Sequence, residues 1–62
     1  MAQTKQPKFK IYRDQGEKQD FRWHLVAPNG EIIAAGEGYT TKESCEKGIE
    51  TVKKHAAVAK IV

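Results

Sequence analysis

Two histidines, one cysteine and a glutamate set between glycines are the residues here whose types could do chemistry. His24, His55 and Cys45 are the candidate metal ligands. Their separations match no zinc spacing, and one chain supplies no more than these three donors, so no metal site is assigned. No Ser-His-Asp or Cys-His set has members that the chain brings plausibly together for nucleophilic catalysis. Glu37, in Gly36-Glu37-Gly38, is the most suggestive acid. Its glycines fall inside a strand, and no Lys-Ser pair follows at the spacing of a phosphate-binding loop. A position opposite Arg22 on the neighbouring strand gives Glu37 a structural role instead. No catalytic, cofactor-binding or metal residue is assigned, and the chain reads as no enzyme.

The elements that would hold these residues are set by a hairpin from Phe21 to Tyr39. Asn29-Gly30 between two β-favouring runs is a strong turn signal, since both residues tolerate the positive φ of a type I′ turn. With that two-residue loop, Leu25 faces Ala34, Trp23 faces Gly36 and Phe21 faces Gly38. On the other face Val26 meets Ile33, His24 meets Ala35, and Arg22 meets Glu37 as an opposite-charge pair. Pro28 leaves an alternative open, a longer type I turn ending in glycine.

Upstream, Lys8 to Asp14 alternates apolar and polar residues, a half-buried strand. The loop Gln15–Gln19 returns it so that Asp14 faces Asp20, Ile11 faces Trp23 and Phe9 faces Leu25. Tyr12 then faces Arg22, a possible cation–π contact. Both turns nominate the same core face, and a three-stranded antiparallel meander follows.

After Tyr39 the period becomes helical. Thr40 with Glu43 has capping-box spacing, and Thr41 with Ser44 is its rival. Cys45, Gly48, Ile49, Val52 and Ala56 form a narrow apolar stripe. Cys45 is therefore expected to be a small buried hydrophobe. His55 lies where a cation suits the helix dipole, and Glu43–Lys47 and Glu50–Lys54 have favourable spacing. Gly48 marks a close approach of helix to sheet, expected near Trp23. The final Ala59-Lys60-Ile61-Val62 has room for a short strand or a docked tail, and the sequence does not decide whether it forms either. The predicted core is Phe9, Ile11, Phe21, Trp23, Leu25, Ile32, Ala34, Ile49 and Val52.

The fold class is thus α+β: a three-stranded antiparallel meander covered on one face by a single C-terminal helix. Residues 8–62 form one domain, preceded by a polar tail, residues 1–7, expected to be disordered. A chain of 62 residues buries only about 60% of its unfolded surface, so a second copy would help it. The net charge of +3 arises from Lys5, Lys8, Lys10 and Arg13 at the N-terminal end, and the remainder is slightly acidic. No run is long and apolar enough for a membrane span, and no signal-peptide stretch opens the chain, so a cytoplasmic setting is expected.

One helix leaves the other sheet face uncovered. That face is expected to carry Tyr12, Arg22, His24, Val26, Ile33, Ala35, Glu37 and Tyr39, with Lys10 among them. It is the candidate interface, and a homodimer the expected assembly. Replacing Tyr39 by Glu should then weaken association and leave the chain folded. The alternative is single-stranded RNA or DNA binding, with tyrosines stacking bases between cations. Glu37 in mid-face, and the lack of an RRM-type aromatic signature, argue against it.

The residues also resemble a known family. Phe9, Tyr12 and Asp14, then Phe21, Arg22 and Leu25, then Asn29-Gly30-Glu31-Ile32-Ile33-Ala34 and Gly36-Glu37-Gly38-Tyr39 match its pattern. Thr41-Lys42, Glu46, Gly48-Ile49-Glu50 and Val52-Lys53 continue it. This block, over residues 8–62, is similar to the YegP-like domain, a family of small prokaryotic proteins of unknown function. The resemblance implies a βββα unit, present in tandem in some members, so that a single unit would dimerise to recreate that pair. It brings no catalytic residues. The longer loop after the first strand and Ala57-Val58 in place of a proline-containing helix end depart from the pattern.

Overall fold

The computed structural model describes residues 6–62. The tail expected over residues 1–7 lies mostly outside them. Strands β1 (Lys8–Arg13), β2 (Phe21–Val26) and β3 (Ile32–Tyr39) form an antiparallel sheet in the order β1-β2-β3. Helix α1 (Lys42–Ala56) crosses one face of it. Strand β1 pairs with β2 in the predicted register, Phe9 with Leu25 and Ile11 with Trp23. The Asp14 N–H donates to the Asp20 carbonyl at 2.8 Å and closes the first hairpin.

The second hairpin does not keep one register. Gly30 N–H donates to the Ala27 carbonyl and Ala27 N–H to the Glu31 carbonyl, both at 2.8 Å. The loop is therefore Pro28-Asn29-Gly30, and only Gly30 has a positive φ, 90°. Proline fixes φ near the value that the second position of a type I turn requires. The two-residue type I′ loop gives way to a type I turn ending in glycine. Val26 consequently faces Ile32, not Ile33, while Leu25, His24 and Trp23 keep their predicted partners Ala34, Ala35 and Gly36. A second irregularity sets Phe21 opposite Tyr39, with Gly38 at φ 89°.

An extra residue in one strand inverts which side chains face the core beyond it. Two predicted placements change for that reason. Ile32, expected in the core, is 55% exposed beside Val26. Tyr39, expected on the open face, packs against the core with Phe21.

The core centres on Trp23, Cys45 and Ile49, with Phe9, Ile11, Phe21, Leu25, Ala34, Tyr39 and Val52 around them. Phe9 meets the Trp23 indole edge-on, ring centroids 5.4 Å apart. Gly36 lies under that indole, where a Cβ would collide with it. Gly48, expected near Trp23, instead receives the Tyr39 ring. Thr41, not Thr40, caps α1: Ser44 N–H donates to Thr41 Oγ1 at 3.0 Å and Thr41 N–H to Ser44 Oγ at 3.3 Å. Among the described residues the helix's ion pair is Glu50–Lys53, so neither expected i,i+4 pair forms. The final segment forms no strand and does not dock, leaving Val58, Ile61 and Val62 exposed.

Candidate functional site

Alternation along the strands puts Lys8, Lys10 and Tyr12 of β1 on the face that α1 leaves open. With them stand Arg22, His24 and Val26 of β2, and Ile32, Ala35 and Glu37 of β3. The expected residues Tyr12, Arg22, His24, Val26, Ala35 and Glu37 are thus brought together. Ile33 lies at the first irregularity and is 55% exposed. Tyr39 is the one that leaves, for the reason given above. Ile32, Lys8, Asp14 and Asp20 join the site unforeseen. Proline before Asn29-Gly30 and the two glycines around Glu37 were the signals that could have located both shifts.

At the centre, Tyr12 and His24 are diagonal neighbours on adjacent strands. The Tyr12 hydroxyl and His24 Nε2 are 3.0 Å apart, and the half-buried rings lie 4.8 Å apart at a 48° tilt. The expected cation–π contact of Tyr12 with Arg22 is not formed, and the guanidinium over a ring is that of Arg13 above Phe21. Towards the second hairpin a shallow open trough of about 500 Å³ is lined by Lys8, Lys10, His24, Val26 and Ile32, with Phe9 and Gly30.

The opposite end is built on carboxylates. Arg22 Nε donates to Asp20 Oδ1 at 3.1 Å, and Arg22 Nη2 is 3.9 Å from Asp14 Oδ2. The predicted Arg22–Glu37 pairing is thereby replaced, because the register shift beside Gly38 removes Glu37 from direct opposition. Glu37 still acts on Arg22 through its charge. Asp20 Oδ2 accepts the Gly38 N–H at 2.7 Å. Desolvation alone would raise the Asp20 carboxyl, but the hydrogen bonds from Arg22 and Gly38 and the guanidinium charge outweigh it and hold the group below its ordinary value. The hydrogen bond to Asp20 in turn raises Arg22, against desolvation, and the neighbouring carboxylate charges add to it.

Cys45 and His24 are on opposite sides of the sheet, the thiol inside the core and the imidazole on the open face. Among the described residues no group of three His, Cys, Asp or Glu is placed to hold a metal ion. No described helix is long and apolar enough to cross a membrane. The open face is a mixed apolar and charged surface, with Val26 and Ile32 beside Lys8, Lys10 and His24.

A family model for a domain of unknown function, DUF1508, matches residues 17–62. A UPF0339 protein of Treponema denticola is 51% identical over 55 residues, covering 89% of this chain and 91% of that one. A UPF0339 protein in the ptx operon 5′ region of Stutzerimonas stutzeri is 48% identical over 48 residues, which are 77% of this chain and 41% of the relative. The solution structure of a protein from Haloferax volcanii superposes with a TM-score of 0.82 at 37% identity, covering 95% of this chain and 97% of that one.

Proposed function

The chain belongs to the DUF1508 family of small domains of unknown function, the YegP-like family its sequence resembles, and from that premise we propose that it works as a non-catalytic, self-associating interaction module of the cytoplasm. One observation carries the reading. Helix α1 covers one face of the sheet, and on the other Ile32, 55% exposed, lines the open trough with Val26 and His24. Apolar area of this kind is favourably removed from water by a partner, and a second copy presents a surface of the same composition. A relative more than twice the matched length, such as that of Stutzerimonas stutzeri, has room for a second unit in one chain. Light scattering over a concentration series tests the reading. A mass that rises towards two chains supports it, and a constant mass of one chain at every concentration removes it.

A second reading rests on the trough, whose lining holds Lys8, Lys10 and His24 and no acid. Single-stranded RNA or DNA would lay phosphates along the two lysines and a base against the Tyr12–His24 rings. A labelled oligonucleotide would then bind, with affinity falling steeply as salt is added. Unchanged anisotropy at low salt excludes it.

A further inference from the structure

Charge on the open face is divided along its strands. At the second-hairpin end Lys8 and Lys10 stand two residues apart on β1, both exposed, with Cα atoms about 6.6 Å apart. The trough they border shares Lys8, Val26 and Gly30 with a second shallow hollow beside Pro28 and Asn29. No carboxylate lines either hollow. At the other end Asp14, Asp20 and Glu37 act on a single cation, Arg22, which Asp20 and Asp14 already engage. The two lysines carry +2, while three carboxylates against one guanidinium leave −2. Between the ends stands the half-buried Tyr12–His24 pair.

A surface that holds a long single strand needs cations along the whole path, with site sizes of about 4–16 nucleotides in domains built for the purpose. Here the path is cut short. Past the Tyr12–His24 pair the next phosphate would meet carboxylates, and like charges set against each other are disfavoured. Arg22 gives no relief there, because its guanidinium is spent on Asp20 and Asp14. On the near side the lysines, the apolar floor of Val26 and Ile32, and the paired rings lie together. We infer that the open face takes a short nucleotide ligand, two phosphates long, held by Lys8 and Lys10 with a base on Tyr12–His24, and that the Asp14–Glu37 end closes the site to a running strand. The ligand is a free short oligonucleotide or the end of a longer strand. This bounded site rests on the nucleic-acid reading of the trough and fixes its extent. It is complete within one chain and needs no second copy.

Fluorescence anisotropy with labelled, 5′-phosphorylated thymidine oligonucleotides of two to ten units tests the boundary across a salt series. Wild type is compared with Lys8→Ala, Lys10→Ala, Tyr12→Leu and Glu37→Lys. Thermal melts establish that each is folded, and Lys8, Lys10 and Glu37 lie on the exposed surface. Two phosphate contacts predict that log affinity falls with log salt at a slope of about −1.4, and each lysine variant should halve it to about −0.7. Tyr12→Leu should weaken binding about tenfold with the slope unchanged, since stacking is insensitive to salt release. Lengthening the oligonucleotide beyond three units should add only the statistical gain of extra registers. Glu37→Lys should open the far end, steepening the slope for the ten-unit strand to about −2.1 and leaving the two-unit ligand within about twofold.

If wild-type affinity and slope keep rising to ten units, or if neither lysine variant changes them, the bounded site is overturned and the nucleic-acid reading stands. If no length changes the anisotropy at low salt, both are overturned. Equal competition by a short oligoglutamate would assign the trough to acidic peptide and overturn the nucleotide ligand. Equal affinity for the free two-unit ligand and the ten-unit strand supports either source. Binding only to the longer one assigns the site to strand ends.

Discussion

The carboxylate of Asp20, the residue just before β2, accepts the backbone N–H of Gly38 near the end of β3 at 2.7 Å. That contact holds the strand irregularity which turns Tyr39 inward, and the same carboxylate holds Arg22 through its other oxygen. Asp20→Asn should lower the melting temperature at neutral pH. The sign of its pH dependence follows from the lowered carboxyl. The stabilisation is fully present above the ordinary unfolded value, about 3.9, and is lost as pH falls through the lower folded value. The gap between wild type and Asp20→Asn melts should therefore close as pH drops below about 4. A gap constant from pH 7 to pH 2.5 would separate Asp20 from the fold's acid sensitivity.

Trp23→Ala should unfold the chain at ordinary temperature, since emptying a core site of this size costs about 3–5 kcal/mol and a small domain has little in reserve. Gly36→Ala approaches the same site from below. The new Cβ would meet the indole, which is buried and hemmed in by Phe9, and overpacking of this kind costs about 1–3 kcal/mol. Denaturant titration measures both. An unaltered midpoint for Gly36→Ala would mean the indole has room to move.

Tyr39 and Gly48 should behave as one unit. Gly48→Ala alone gains about 1 kcal/mol of helix propensity but drives a methyl into the Tyr39 ring. With Tyr39 shortened to Ser the clash disappears, and the alanine should then stabilise. A double-mutant cycle should show coupling of about 1 kcal/mol or more between the two sites. Additive effects would separate them. Tyr39→Glu, expected from the sequence to act on association, should instead lower stability, and Ile32→Glu becomes the substitution that weakens association in a folded chain.

Cys45 has no exposed surface, and burial, with a smaller contribution from the Glu46 charge, raises its thiol above the usual range. A thiol reagent should therefore react slowly with the native protein at pH 8 and rapidly in denaturant. Equal rates would place Cys45 outside the core.

How much of this was legible in the sequence differs from residue to residue. Alternation from Lys8 to Arg13, the pairing of Ile11 with Trp23 and the helical stripe of Cys45, Ile49 and Val52 were readable, because each depends on neighbours a few positions away. The open face was readable as a face, and six of its eight expected members stand together on it. The polar end around Arg22 was not, since Asp20 holding Gly38 is a contact between chain positions far apart with no local pattern to announce it.

Local chemistry thus determined the elements, their order and the existence of an uncovered sheet face. Tertiary structure decided which side chains stand on that face. A strand reverses its pattern with every inserted residue, so the turn at Pro28-Asn29-Gly30 and the left-handed Gly38 were enough to send Ile32 outward and Tyr39 inward. Those insertions are fixed by hydrogen bonds across strands and by the space under an indole and over a helical glycine, quantities that exist only once the chain is folded.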